Sequence, residues 1–226
     1  MIDSVVFAFG FRMRSGKDTA VTEILKQRGL IKYLGIYSAP ENQERYDIRQ
    51  YSFASALKAE VNDAARKAGG MRELFNALPF DTPEWVKYDP DAPMNDPMCP
   101  LGKQRSLLQF WGAEYRRAET PDYWVRKLAN TIELEKPQIA LISDLRFENE
   151  MQFVLQYGEA IRVDRDSLPP ATHISETALE DSTGWSLILE NNGSLEDFKV
   201  GAVVAFDELL LNFPQQRVVR QALGIA

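Results

Sequence analysis

The sequence predicts an α/β fold in which helices flank a mostly parallel central sheet. Apolar runs of strand length occur at residues 5–9, 138–144 and 160–163, and each adjoins a segment with helical periodicity. The first run is apolar throughout, which is typical of a strand buried on both faces. Strands that alternate with helices favour a parallel sheet, because parallel neighbours must be joined by crossovers.

Helical patterns and their end signals fill the segments between these strands. The first helix is expected from about residue 18 to residue 28, with Gly29 as its stop. Further helices are expected at 54–68, 105–117, 122–132 and 147–157. After a short strand at 187–189, Ser194 is expected to cap a final helix. The residues expected to face inward from that helix are Leu195, Phe198, Ala202, Phe206 and Leu209.

Composition limits the classes of function. The chain has 226 residues, 45% hydrophobic and 26% charged, as in an ordinary globular protein. Its net charge of −7 argues against binding a nucleic-acid polymer, which would repel it. The single cysteine, Cys99, allows no internal disulfide, and no apolar run is long enough to cross a membrane. We therefore expect a cytoplasmic protein, in the host cytoplasm if it is viral, with homodimer formation left open.

A glycine- and lysine-bearing segment, residues 10–19, lies between the first strand and the first helix. Backbone N–H groups at such a turn bind phosphate oxygens, and Lys17 is placed to reach the β- and γ-phosphates of a nucleotide. The expected nucleotide-binding residues are Arg12, Met13, Arg14, Ser15, Gly16, Lys17, Asp18 and Thr19. The segment departs from the usual spacing, because Gly10 comes one residue early and Phe11 stands where a glycine is expected.

Hard oxygen ligands for Mg²⁺ are available beside this loop. Asp18 replaces the usual Ser/Thr after the lysine, Thr19 follows it, and Asp144 ends the apolar strand 138–144. These three are the expected metal ligands. The residue after Asp144 is Leu145 rather than a glutamate base, which favours transfer to a bound acceptor over hydrolysis.

Positive charge recurs near the predicted strand and loop ends. The arginines in question are Arg105, Arg117, Arg146, Arg162 and Arg165. Guanidinium groups can orient the acceptor and transferring phosphates of a kinase reaction. The expected catalytic residues are Lys17, Arg14, Arg146 and Asp18.

Several segments together resemble the bacteriophage-type deoxynucleoside monophosphate kinases, in the superfamily of P-loop nucleoside monophosphate kinases. They occur in that family's order and are residues 14–19, 57–58, 105–114, 123–125, 144–150, 173–176 and 192–197. Ala113, where threonine is common, and a proline-rich insertion at 79–100 depart from the pattern.

The resemblance implies an adenylate-kinase-like fold in a single domain, with ATP as donor, Mg²⁺ as cofactor and a deoxynucleoside monophosphate as acceptor. It implies a core (1–30, 136–164 and 185–226), an acceptor-binding helical part at about 50–135 and a lid at about 164–184. Phosphate contacts are implied for Lys58 and Arg105, and a structural or lid role for His173 and Glu176. The full set of implied substrate-binding residues is Lys58, Arg105, Gln109, Glu114, Trp124, Asp144, Arg146, Glu150, His173 and Glu176.

Two alternatives stay open at this point. One is a P-loop kinase for another small phosphorylated metabolite. The other is a nucleotide-sensing module without transfer chemistry. The insertion at 79–100 is either a lid or binding loop or a surface segment with no such role.

Overall fold

A computed structural model of the chain describes residues 2–27, 47–168, 170–171 and 173–222, with side chains as far as residue 213. The predicted helix stop at Gly29 lies outside the described residues. Contacts divide the chain into two compact units. The sheet unit comprises Met1–Tyr51 and Ala129–Ala226, and the helical unit comprises Ser52–Leu128.

The sheet unit contains a five-stranded sheet in which every neighbouring pair is parallel. Its strands are β1 (Val5–Gly10), β2 (Ile48–Tyr51), β3 (Ile139–Leu145), β4 (Gly158–Asp164) and β5 (Leu187–Glu190). Their spatial order is β2-β3-β1-β4-β5, so β1 lies at the centre. The predicted α/β fold with helices around a parallel sheet is confirmed.

The helices follow the predicted pattern with two additions. They are α1 (Lys17–Lys26), α2 (Phe53–Ala68), α3 (Met71–Asn76), α4 (Arg105–Gln109), α5 (Arg116–Glu119), α6 (Tyr123–Glu135), α7 (Glu148–Tyr157), α8 (Ile174–Thr177) and α9 (Leu195–Ala222). The predicted helix 105–117 contains a π-helical segment, Phe110–Tyr115, between α4 and α5. The two short helices α3 and α8 were not predicted.

Both faces of the sheet are buried. Phe7 and Phe9 of β1 belong to a hydrophobic cluster that α1 and α9 complete. Val6 and Ala8, which alternate with them along β1 and so face the other side of the sheet, are fully buried as well. Helix α7 packs against β1 and β4. Burial of successive residues on both faces explains why the sequence of β1 is apolar without alternation.

The amino-terminal end of α9 departs from prediction at one residue. Ser194 Oγ accepts a hydrogen bond from the N–H of Asp197 (3.1 Å), as expected of a cap. Phe198, Ala202, Phe206 and Leu209 are buried as predicted. The prediction for Leu195 was wrong: it is 61% exposed and lines a cavity at the carboxyl edge of the sheet instead of entering the core.

The helical unit has a separate core, formed by residues of α2, α3, α4 and the π-helical segment. The fully or nearly buried members are Val61, Ala65, Met71, Leu74, Leu107 and Phe110. The proline-rich insertion at 79–100 belongs to this unit and consists of turns without a helix or strand. Across the described ranges, no helix is long and apolar enough to span a membrane.

Candidate phosphate-binding site

The loop after β1 lies at the carboxyl edge of the sheet, where the strand order reverses between β1 and β4. Its backbone turns sharply, with positive φ at Phe11 (90°), Arg14 (64°) and Gly16 (115°). Successive N–H groups in turns of this kind form concavities that bind anions. The loop ends at the N-terminus of α1, whose dipole also favours negative charge.

Phe11 takes the left-handed conformation that the displaced glycine was expected to supply. Its ring is buried, and the Arg162 guanidinium lies over it at 3.8 Å from the ring centroid. Gly10 is the last residue of β1, and a Cβ there would come within 2.5 Å of the Trp185 ring, so no larger residue fits at this position. The turn therefore has its positive φ at Phe11, and the packing of Phe11 against Arg162 stabilises it.

Gly16 is required by close packing as well as by its φ. A Cβ on Gly16 would come within 2.6 Å of Asn191 Nδ2 and 3.0 Å of the Phe198 ring. Asn191 Nδ2 donates a hydrogen bond to the Ser15 carbonyl (2.7 Å). The turn between β5 and α9 thus holds the loop in place, and sequence reasoning missed Asn191.

Lys17 is buried at the start of α1. Its ammonium group donates to the carbonyl of Arg12 and, at 3.4 Å, to Ser15 Oγ. Burial lowers the pKa of Lys17 from 10.5 to about 8, and the nearby charge of Arg146 acts in the same direction. The carboxylates that oppose this decrease are Asp18, Asp144 and Glu176. Four other residues chosen from the sequence are therefore close enough to influence the pKa of Lys17. They are Arg146, Asp18, Asp144 and Glu176.

A cavity of about 310 Å³ opens beside the loop. Its lining residues are Arg14, Gly16, Lys17, Asp18, Thr19, Arg165, Asn191, Gly193, Leu195 and Phe198. Three of them carry positive charge and one carries negative charge. A cavity with this lining suits a polyphosphate, because backbone N–H groups and fixed cations both stabilise phosphate oxygens.

Arg146 follows β3 directly. One of its guanidinium nitrogens donates to the Ser175 carbonyl (3.1 Å), in the segment expected to be a lid. Its backbone N–H donates to Glu150 Oε2 (2.8 Å), which also accepts from Phe147 N–H (3.2 Å). The buried Glu150 carboxylate thus caps α7. That is a structural role, where a substrate contact was expected.

The expected lid segment also contains a helix cap and an ion pair with the phosphate loop. His173 Nδ1 accepts a hydrogen bond from Ser175 N–H (3.2 Å) and so caps the short α8. Arg12 of the loop forms an ion pair with Glu180. Sequence reasoning missed Glu180, whose 168-residue separation from Arg12 leaves no local signal.

The remaining expected substrate residues lie in the helical unit. Arg105 and Glu114 are exposed, and Gln109 is half-buried at the end of α4. Trp124 is only 2% exposed and donates its indole N–H to the Gly112 carbonyl (2.9 Å). Its observed role is in the core of this unit, where a substrate contact was expected. Lys58 is ion-paired with Asp96 (2.9 Å).

A parallel α/β sheet with a glycine–lysine loop between its central strand and the following helix defines a P-loop protein. No protein-family model matches the chain. A protein of Acanthamoeba polyphaga mimivirus, provisionally named a deoxynucleotide monophosphate kinase, is 37% identical over 60 residues. The match covers 26% of this chain and 31% of that protein, so the chain spans less than a third of the relative's length.

Two solved structures align over most of the chain with low similarity. Dephospho-CoA kinase from Campylobacter jejuni has a TM-score of 0.45 and 13% identity, covering 92% of this chain and 97% of that one. The protein TT1252 from Thermus thermophilus has a TM-score of 0.43 and 15% identity, covering 91% and 98%.

Proposed function

We propose that the protein transfers the γ-phosphate of ATP to a deoxynucleoside monophosphate, giving the diphosphate for DNA precursor supply. The observation that supports this most is the grouping of Arg14, Lys17, Asp18 and Arg165 around the cavity beside the loop. Phosphoryl transfer depends on positioning and on fixed charge around the transferring group, which is what such a grouping supplies.

On the donor side, Lys17 binds the β- and γ-phosphates. Its present partners are a carbonyl and a hydroxyl of the loop, neutral acceptors that a phosphate oxygen can replace with a stronger, charge-assisted bond. Arg14 and Arg165 line the same cavity and add positive charge. Gly16 leaves room for the backbone to approach the phosphates.

The carboxylates beside Lys17 fit a magnesium ion. No cluster of three or more acidic, histidine or cysteine side chains able to hold a metal occurs among the described residues. Mg²⁺ in kinases is held by one or two protein oxygens together with substrate phosphates and water, so a smaller donor set is sufficient. Asp18, Thr19 and Asp144 would hold the ion, which neutralises charge on the phosphates when bound.

On the acceptor side, Arg146 orients the acceptor phosphate against the γ-phosphate. The name of the mimivirus relative supports a deoxynucleoside monophosphate as the acceptor. Leu145, which follows Asp144, is fully buried and supplies no general base to activate water. Transfer to a bound acceptor is therefore favoured over hydrolysis.

A coupled assay for ADP formation tests the proposal. The full chain with ATP and Mg²⁺ is assayed against a panel of deoxynucleoside monophosphates, ribonucleoside monophosphates and dephospho-CoA, and with ATP alone. We expect turnover that requires a deoxynucleoside monophosphate. Turnover with a different phosphorylated acceptor would support a kinase of another metabolite. ATP binding without turnover on any acceptor would support a sensor.

A further inference from the structure

Phe11 begins the phosphate loop in a backbone conformation that is unfavourable for a residue with a side chain. Its φ is 90°, in the left-handed region, where the Cβ of an L-residue crowds the following carbonyl oxygen. Glycine, which is expected at this point of a phosphate loop, has no Cβ and avoids that contact. A strained residue of this kind persists only where the surrounding structure holds it in place.

Phe11 is held at its backbone and at its ring. Its N–H donates a hydrogen bond to the Leu145 carbonyl at the end of β3 (3.3 Å). The ring is buried, and Cζ of Arg162 lies 3.8 Å from the ring centroid. Arg12 also lies over this ring, but at the longer distance of 5.5 Å. The attraction between a cation and an aromatic ring is strongest where both are desolvated, which makes Arg162 the main partner of the ring.

Arg162 is itself fixed in position by β4. It is paired with Gly10 in the register of the sheet, so its side chain begins next to the loop. Its Nε donates to both carboxylate oxygens of Asp164 (3.0 Å each), and the Arg162 side chain is only 21% exposed. Residues two apart in a strand lie on the same face, which brings this pair together. The ion pair with Asp164 therefore restricts the guanidinium to its place over the ring.

The conformation of Phe11 decides where the rest of the loop lies. The next residue, Arg12, offers its carbonyl to the Lys17 ammonium group, and the N–H groups that follow form the anion-binding turn. We infer that Arg162, held by Asp164, is a positioning residue for the phosphate loop. It stabilises through packing the left-handed turn that a glycine would adopt freely. The inference concerns the binding of nucleotide phosphates and applies whichever acceptor the protein uses.

A double-mutant cycle on ATP binding tests this role. The full chain is titrated with ATP and Mg²⁺ in a calorimeter, without any acceptor. Arg162→Gln should raise the ATP Kd about tenfold, an effect of the size found for residues in direct contact. Phe11→Gly restores the missing glycine, so adding Arg162→Gln to that variant should raise the Kd no more than about twofold.

The matched control is Arg72→Gln. Arg72 also lies over an aromatic ring, that of Tyr88 (5.0 Å), but in the helical unit. Its substitution removes the same charge and the same kind of contact away from the loop, and it should leave the ATP Kd unchanged. Urea unfolding of each variant verifies that the titrated protein is folded.

An unchanged ATP Kd in folded Arg162→Gln would overturn the inference. So would an equal increase in the wild-type and Phe11→Gly backgrounds, because Arg162 would then contact the nucleotide directly or act on the fold in general. The requirement for a left-handed turn has a separate test that leaves Arg162 in place. Phe11→Ala should bind ATP about tenfold more weakly than Phe11→Gly, since alanine carries the Cβ that opposes positive φ.

Two further results keep the test decisive. If Arg162→Gln does not fold, Arg162→Lys keeps the charge but lacks the flat guanidinium, and it should show a smaller increase in Kd that Phe11→Gly again removes. An increase that Phe11→Gly leaves in place would contradict the inference. All of these readouts are binding constants, so a protein that binds ATP but phosphorylates no acceptor would refute the proposed function alone.

Discussion

At the scale of single residues, the charge of Lys17 is expected to serve phosphate binding, but burying that charge destabilises the fold. A lysine held charged in a buried position loses hydration, and this loss is the main reason that the pKa of Lys17 decreases from 10.5 to about 8. The decrease corresponds to about 3 kcal/mol at neutral pH. Binding a polyphosphate would recover this energy, so the residue is poised for a ligand.

We therefore expect Lys17→Met to abolish phosphate transfer and to raise the free energy of unfolding at pH 7. The unfolded chain keeps its lysine proton up to about pH 10.5, whereas the folded chain loses it near pH 8. Between these values the unfolded state binds more protons than the folded state. The free energy of unfolding of the wild type therefore increases with pH and approaches that of the variant. Urea unfolding of both proteins from pH 7 to 10.5 measures the difference, expected to decrease from about 3 kcal/mol.

The control for this substitution is Lys26→Met, at the exposed end of the same helix. Lys26→Met should leave phosphate transfer unchanged. Its effect on the free energy of unfolding should vary much less with pH than the effect of Lys17→Met. A Lys17→Met protein that is less stable than wild type at pH 7 would contradict the assignment of a destabilising buried charge.

At the scale of elements, the end of β3 carries two opposite charges near the phosphate loop. Asp144 is the last polar residue of the strand, and Arg146 follows it with a hydrogen bond to the Ser175 carbonyl. Both are near enough to Lys17 to affect its pKa. Arg146 is therefore positioned between the phosphate loop and the segment that carries α8.

Arg146→Ala is expected to lower turnover about a hundredfold or more, the range for removal of one preorganised electrostatic contact. ATP affinity without acceptor should change little, because Lys17, Arg14 and Arg165 remain. Steady-state kinetics and an ATP titration measure the two effects. Arg146→Lys keeps the positive charge but loses the forked set of guanidinium donors, so its turnover should lie between those of the wild type and Arg146→Ala. Lost ATP binding with normal turnover per bound ATP would place Arg146 on the donor side instead.

Elements with a strong local signal were predictable from sequence. Strand β1 and the first four residues of β3 are uninterrupted apolar runs, because both faces of these segments are buried. Strand β2 has only four residues at the sheet edge, with half-exposed Arg49 and exposed Gln50 in its centre, so its pattern was too weak to identify. The π-helical segment was missed because its residues have ordinary helical periodicity.

Within the site, the loop and its lysine were predictable, whereas the groups that hold them were not. Arg162 lies far from Phe11 in sequence, and Asn191 lies 176 residues from Ser15. Such contacts depend on the order of strands in the sheet, which brings β4 and the end of β5 beside the loop. The role of Glu150 as a helix cap was likewise hidden, since a buried and an exposed glutamate look alike in sequence.

At the scale of the whole molecule, the chain is acidic, but some of its cations lie together in two places. The net charge is −7, yet Arg14, Lys17 and Arg165 all line one cavity of the sheet unit. The helical unit holds two neighbouring cations, Lys58 and Lys103, which both pair with Asp96. This distribution suits small phosphorylated ligands better than a long polyanion, which the overall charge would repel.

The fate of the γ-phosphate tests the central claim most directly. The full chain is incubated with Mg²⁺, γ-labelled ATP and each deoxynucleoside monophosphate in turn, and the labelled products are separated. We expect the label in the corresponding deoxynucleoside diphosphate, and none there when Lys17→Met replaces the wild type. Label released only as inorganic phosphate, at a rate independent of the monophosphate, would contradict a kinase and show hydrolysis of ATP instead.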